Sequence, residues 1–101
     1  KRYKTNISHL EFSMEIFNRL NPVIFEWKEN GTTDFGLIAE DVEEIDPSLV
    51  FYSNEGLVDG VDYHKVRMMV LKVVQEQQKQ IESQQQQINR LEKMVRELTE
   101  K

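Results

Sequence analysis

The most restrictive feature of this sequence is its last segment, which contains neither glycine nor proline from His64 to Lys101. Such a segment predicts one uninterrupted helix, about 57 Å long if it is helical throughout. A helix of that length cannot cover its apolar side chains against a small domain along its whole length. Its distal half therefore needs another helix as a partner.

The apolar residues of this segment follow a heptad repeat. Position a holds β-branched residues every seven positions: Val74, Ile81, Ile88 and Val95. Position d follows three residues later and holds Val70, Gln77, Gln84, Leu91 and Leu98. We expect these nine residues to form the interface of a coiled coil. β-Branched a residues with leucine at d favour two strands, but the two glutamine layers weaken that rule. The heptads alone therefore leave the strand number open, and we interpret the glutamines as setting register and oligomeric state.

The apolar stripe is wider at the start of the predicted helix than farther along. Val66, Met69, Leu71 and Val73 add to the heptad positions there and cover more than a narrow seam. We therefore expect the first turns of this helix to pack against the preceding part of the chain as well.

The first 63 residues predict short elements of both kinds. Patterns and turn signals indicate a helix over 10–20, a strand over 23–27, a strand over 34–38, a helix over 39–45 and strands over 49–52 and 57–63. The predicted fold is α+β, with a small head of short antiparallel strands and short helices followed by a long C-terminal helix. We expect two domains, a head over residues 1–63 and a coiled-coil segment over 64–101. Phe25, Trp27 and Phe35 are expected in the core of the head.

Composition excludes several classes of site. The chain has no cysteine and two histidines, which excludes disulfides, thiolate ligands and a histidine-rich zinc site. Residues 1–63 carry five Lys/Arg against thirteen Asp/Glu, a net charge of −8 that argues against nucleic acid as a partner. No apolar run is long enough for a membrane span. With no catalytic or phosphate-binding signature either, we expect no cofactor, no metal and no membrane partner. Since the sequence begins with Lys1 rather than methionine, we expect a fragment of a longer protein.

Ordered motifs along the chain resemble a known family. They are Lys1-Arg2-Tyr3-Lys4-Thr5-Asn6-Ile7, Leu20-Asn21-Pro22-Val23-Ile24-Phe25-Glu26-Trp27-Lys28, Phe35-Gly36-Leu37-Ile38-Ala39-Glu40-Asp41-Val42, Asp46-Pro47-Ser48-Leu49-Val50 and Val61-Asp62-Tyr63. This order is similar to the C-terminal intramolecular chaperone domain of bacteriophage endosialidases, tail spikes, fibres and neck appendages. Glu40 stands where that family usually has glutamine. Myelin regulatory factor carries a similar domain.

The resemblance implies two activities. One is assembly, in which a parallel homotrimeric coiled coil brings together three copies of an upstream fibre or tail-spike domain of the same precursor. The other is self-cleavage before a serine that precedes Lys1, with Lys4 as the general base of a Ser/Lys dyad. That serine is absent here, so we expect residues 1–101 to be inactive as a peptidase. Ser8 would share a face with Lys4 on a helix, but the family pattern places the nucleophile before the lysine.

The resemblance also implies that the chain is part of a virion tail or appendage precursor, which is made in the cytoplasm of the host bacterium. The alternative function is a non-catalytic coiled-coil oligomerisation module. Composition, heptads and the acidic head fit both functions, and only the ordered motifs favour the chaperone.

Overall fold

Short helices and strands precede one long helix in the computed structural model, which describes residues 2–11 and 14–100. The elements follow in the order α1 (Met14–Arg19), β1 (Val23–Glu26), β2 (Thr33–Gly36), α2 (Ala39–Ile45), a 3-10 turn (Pro47–Leu49), β3 (Val50–Tyr52), β4 (Val58–Val61) and α3 (Tyr63–Thr99). Among the described residues the strands form two antiparallel pairs, β1–β2 and β3–β4. This architecture confirms the predicted α+β fold with a long C-terminal helix.

The first hairpin is closed by a turn with a left-handed glycine. Strands β1 and β2 pair from Val23 opposite Gly36 to Glu26 opposite Thr33. The Trp27 N–H donates to the Thr32 carbonyl at 2.9 Å, and Gly31 adopts a φ of 69°, which a side chain would disfavour. The Trp27 indole N–H donates to the Asp34 carboxylate at 3.1 Å across the hairpin.

The aromatic residues of this hairpin do not all lie in the core, so that prediction was wrong. Phe35 is 81% exposed and Trp27 is 51% exposed, whereas Phe25 is partly buried and packs edge-on against Trp27 at 5.0 Å between ring centroids. Phe35 pairs with Ile24, which is also exposed. Successive residues of a strand point to opposite faces, and these two share the face that the core does not cover.

The second hairpin follows an acidic helix and a capped 3-10 turn. The Asp46 carboxylate accepts a hydrogen bond from the Ser48 N–H at 3.0 Å and so caps the turn that begins at Pro47. Strands β3 and β4 pair from Val50 opposite Val61, with an irregularity between Phe51 and Tyr52. The Glu43 carboxylate on α2 raises the pKa of Tyr52, chiefly as a hydrogen-bond acceptor for its hydroxyl, with smaller contributions from desolvation and from the Glu43 charge.

The core lies where α2, the second hairpin and the start of α3 meet. Four of its apolar residues are buried: Val42, Leu49, Val50 and Met69. Partly buried residues pack around them: Ile16, Phe17, Leu20, Leu37, Val58 and Val61. Met69 confirms that the first turns of the long helix pack against the head, as the widened apolar stripe predicted.

The chain divides into two units, Lys1–Met69 and Val70–Lys101. The first contains the core and the start of α3. The Asp62 carboxylate accepts from the Lys65 N–H at 3.3 Å and caps this helix, while the Lys65 ammonium donates to the Ser48 carbonyl at 3.2 Å. The second unit is the remainder of α3.

Candidate functional site

The heptad residues of α3 leave an apolar seam uncovered. Its valine, isoleucine and leucine members are between 42% and 68% exposed: Val70, Val74, Ile81, Ile88, Leu91, Val95 and Leu98. They lie on one element at intervals of three and four residues, which places them along one side of the helix. An apolar stripe of this length along one side of a long helix is typical of coiled-coil helices.

Glutamines interrupt the seam and differ in their hydrogen bonds. At position e, the Gln78 amide donates to the Glu82 carboxylate at 3.3 Å, and the Gln85 amide donates to the Asn89 carbonyl oxygen at 2.9 Å. Both bonds join residues four apart on the flank of the helix. At position d, Gln77 and Gln84 are exposed and make no side-chain hydrogen bond to any described residue.

The ion pairs of α3 lie away from the seam. The Glu76 carboxylate is 3.5 Å from the Lys72 ammonium and 3.6 Å from the Lys79 ammonium. These residues occupy heptad positions c and f, on the side opposite a and d. They are solvated pairs that stabilise the helix only slightly, and they leave the seam free of charge between Val74 and Leu98.

Lys4 lies in an exposed segment without helix or strand. Residues 2–11 are all exposed, and Asn6 adopts a φ of 53°, in the left-handed region that asparagine tolerates better than most residues. The Arg2 guanidinium lies 5.2 Å from the ring centroid of Tyr3. Because residues 4–8 are not helical, Lys4 and Ser8 do not share a helical face.

Two contacts in the head were not predicted from the sequence. The Tyr63 hydroxyl accepts a hydrogen bond from the Leu37 N–H at 3.0 Å, and a Cβ atom on Gly36 would lie 2.7 Å from the same hydroxyl. These contacts join the end of β2 to the first residue of α3. The only sequence signal is that Gly36 and Tyr63 both belong to the family motifs, which gave no indication that they touch.

Within residues 2–11 and 14–100, no group of three or more histidine, aspartate and glutamate side chains is placed to hold a metal ion. No helix in the described part of the chain has the length and apolar character needed to cross a membrane.

Comparison with known proteins places the chain in a family. Residues 1–51 match the family described as chaperone of endosialidase. The chain belongs to this family. The match includes Lys4, β1, β2 and α2 and stops within β3, before the long helix. Membership of the chaperone of endosialidase family gives the chain a chaperone-type role, associated with phage tail proteins. No curated protein and no solved structure matches it.

Proposed function

We propose that this chain is the C-terminal intramolecular chaperone of a phage tail spike, fibre or appendage, and that it acts as a homotrimer. Its partners are two further copies of itself and the upstream domain of the same precursor, made in the cytoplasm of the host bacterium. The uncovered heptad seam of α3, in a chain of the chaperone of endosialidase family, is the observation that carries this proposal.

The two parts of the chain have different tasks in this proposal. Residues 64–101 associate through their nine seam residues: Val70, Val74, Gln77, Ile81, Gln84, Ile88, Leu91, Val95 and Leu98. Residues 1–63 form the head that connects this coiled coil to the upstream domain. The apolar layers drive association, and the two glutamine layers fix its register because a shift of one helix by one heptad would place Gln77 against Val70 and Gln84 against Leu91.

Association of the long helices helps the upstream domain for a kinetic reason. β-Rich trimers depend on contacts between distant residues and different chains, so they fold slowly and expose aggregation-prone edges on the way. A helix forms from local contacts and associates early. Once three helices are joined, the upstream chains are held at a high effective concentration and in register.

Self-cleavage is the second part of the proposal. In a precursor with Ser-Asp immediately before Lys1, the serine hydroxyl attacks the carbonyl carbon of the residue that precedes it. The Lys4 amine takes the hydroxyl proton and returns a proton to the serine nitrogen as the C–N bond breaks. Water then hydrolyses the resulting ester and leaves a new amino terminus at the serine.

The exposure of Lys4 bears on when this reaction occurs. A lysine acts as a general base when burial or a neighbouring cation favours its neutral form. Arg2 is two residues away and supplies positive charge, but the segment is open to water in the single chain. We infer that the segment becomes covered in the assembled precursor. Cleavage then follows assembly, and the separated fibre persists kinetically because the chaperone has left it.

The mass of the chain in solution tests the assembly proposal. Light scattering over a concentration series should show a stable species of three times 12.0 kDa. A stable dimer would favour a general coiled-coil oligomerisation module instead. A monomer at the highest concentration would contradict the proposed mechanism, because the seam would then need the upstream domain before it associates.

A further inference from the structure

Gln77 and Gln84 are the polar interruptions of an otherwise apolar seam between Val74 and Leu98. They lie one heptad apart, about 10.5 Å along the helix axis. Their apolar neighbours at position a are Val74, Ile81 and Ile88, so each glutamine lies between two layers that exclude water once helices associate. We propose that these two layers each bind a monovalent anion of the halide type on the axis of the assembled coiled coil. This proposal rests on the proposed homotrimer.

The amides of these two glutamines are free to turn toward a partner helix. Gln78 and Gln85, their neighbours at position e, are held on the flank by Glu82 and Asn89. Gln77 and Gln84 make no such bond to a described residue. Association would remove their amides from water, and a buried amide without hydrogen-bond partners is strongly unfavourable. The amides must therefore find hydrogen bonds within their own layer.

A three-fold layer of amides contains twice as many N–H groups as carbonyl oxygens. Each amide has one carbonyl oxygen and two N–H groups. If each carbonyl accepts one N–H from the next helix, the three amides close a ring and three N–H groups remain. Turned toward the axis, these three N–H groups converge on one point. A water molecule there brings two donors of its own and accepts at most two bonds, whereas a halide accepts all three.

The charge of the helix favours an anion over a cation. Residues 64–101 carry eight Lys/Arg against five Asp/Glu, a net charge of +3 in each chain, so three parallel copies form a positive bundle. Hydrogen bonds to a charged acceptor in a dry layer are also stronger than those to water. Ions with a large radius lose less hydration energy on entry, so bromide and chloride should bind better than fluoride.

Thermal unfolding in different sodium halides tests the proposal. Chain 1–101 is unfolded at one ionic strength and one protein concentration in fluoride, chloride or bromide, and its mass is measured in each salt. Strongly hydrated ions generally stabilise folded proteins by exclusion from their surface, so without a site fluoride should give the highest Tm. We expect the opposite order, with a Tm in bromide higher by several degrees than in fluoride.

A matched pair of variants assigns the effect to the layers. Gln77→Leu/Gln84→Leu removes both polar layers and should abolish the preference for bromide. Gln75→Leu/Gln86→Leu makes the same chemical change at positions b and f, outside the seam, and should keep the preference. In crystals grown with bromide, anomalous peaks should lie on the axis at the heights of Gln77 and Gln84.

The outcomes separate this proposal from the function on which it rests. A trimeric mass with the ordinary salt order, or with water or a cation on the axis, would overturn the anion sites and leave the assembly function intact. A dimeric or monomeric mass would overturn both. Loss of the bromide preference in both variants would mean that the anion binds elsewhere, and this too would overturn the proposal.

Discussion

Gly36 leaves open the space that the hydroxyl of Tyr63 occupies: a Cβ atom on residue 36 would lie 2.7 Å from that oxygen. The same hydroxyl accepts the N–H of Leu37, the next residue along the chain. The side chain of Tyr63, the first residue of α3, therefore contacts the end of β2 both through a hydrogen bond and through close packing against Gly36. This contact ties the first hairpin to the helix that we propose to carry assembly.

Substitution of Gly36 by alanine should lower the free energy of unfolding by about 1–3 kcal/mol, because the added methyl group collides with the Tyr63 hydroxyl. Tyr63→Phe should lower it by about 1 kcal/mol through loss of the bond to Leu37. In the double variant the colliding oxygen is absent, so the combined loss should be smaller than the sum of the two. Urea unfolding at one protein concentration measures all three.

Gly60 provides the control for this cycle. It also lies in a strand, but a Cβ atom there would meet nothing within 4 Å, and its φ is not positive. Gly60→Ala should therefore change the free energy of unfolding far less than Gly36→Ala. Equal losses at both positions, or strictly additive losses in the double variant, would show that the contact does not act as described.

The local sequence pattern predicted reliably which helices and strands form. It predicted less reliably which face of each element packs in the core. The helix over 39–45 was predicted with its observed bounds, because this short acidic segment ends at the Asp46-Pro47 pair. The first strand, predicted over 23–27, was found one residue shorter. The long helix was expected from the absence of glycine and proline, and it begins one residue earlier, at Tyr63.

The placement of the aromatic residues shows what a local sequence pattern does not determine, namely which face of a strand packs in the core. Strand periodicity states that Ile24 and Glu26 share one face and Val23 and Phe25 the other, but not which face meets the core. That choice depends on where α2 and α3 pack, which no local signal contains. For the same reason the sequence singled out Lys4 through the family motif but did not indicate that its segment is open to water.

Met69 and Met68 are adjacent on α3 and differ in burial, which makes them a matched pair. Met69 is 6% exposed and packs in the core, whereas Met68 is 41% exposed and lies outside the seam at position b. Met69→Ala should lower the free energy of unfolding by about 2–4 kcal/mol, and Met68→Ala by less than about 1 kcal/mol. Both should keep the oligomeric mass. Similar losses would mean that α3 is not anchored in the core through Met69.

The interaction of Tyr52 with Glu43 predicts that the stability of the fold decreases at alkaline pH. Glu43 raises the pKa of Tyr52 in the folded state above its ordinary value of 10.0. The contribution of this interaction to the free energy of unfolding is therefore fully present below the ordinary tyrosine pKa and is lost as the pH rises through the folded-state pKa of Tyr52. Glu43→Ala should move the titration of Tyr52 down toward its ordinary pKa, whereas Glu44→Ala, on the exposed side of the same helix, should not.

Tyrosinate absorbance measures this shift, and the difference between the chain and its Tyr52→Phe variant isolates Tyr52 from Tyr3 and Tyr63. Unfolding experiments at increasing pH should show the chain losing its advantage over Tyr52→Phe above the ordinary tyrosine pKa. A Tyr52 titration that is insensitive to Glu43→Ala would contradict the assigned cause.

The seam predicts that charge at its centre prevents association. Ile81→Asp/Ile88→Asp places carboxylates in the two layers next to the glutamines, where burial of unpaired charge is strongly unfavourable. Light scattering should then show monomers. Ser83→Asp/Gln86→Asp adds the same charge at positions c and f and should keep the mass of the parent. An unchanged mass in the seam variant would refute the assignment of positions a and d.

The dyad proposal makes a prediction that separates the charge of Lys4 from its basicity. A chain extended upstream, with Ser-Asp immediately before Lys1, should release a fragment whose amino terminus is that serine. Lys4→Ala should abolish this cleavage. Lys4→Arg should abolish it as well, because a guanidinium keeps its proton and cannot act as a base.

Lys28→Ala provides the control: this residue lies at an exposed position beyond β1, so a precursor with this substitution should cleave at the parental rate. Mass spectrometry of the products identifies the cleaved bond, and light scattering confirms that each variant still assembles. Cleavage by Lys4→Arg at the parental rate would mean that Lys4 contributes charge alone, and the base would have to be sought on another residue.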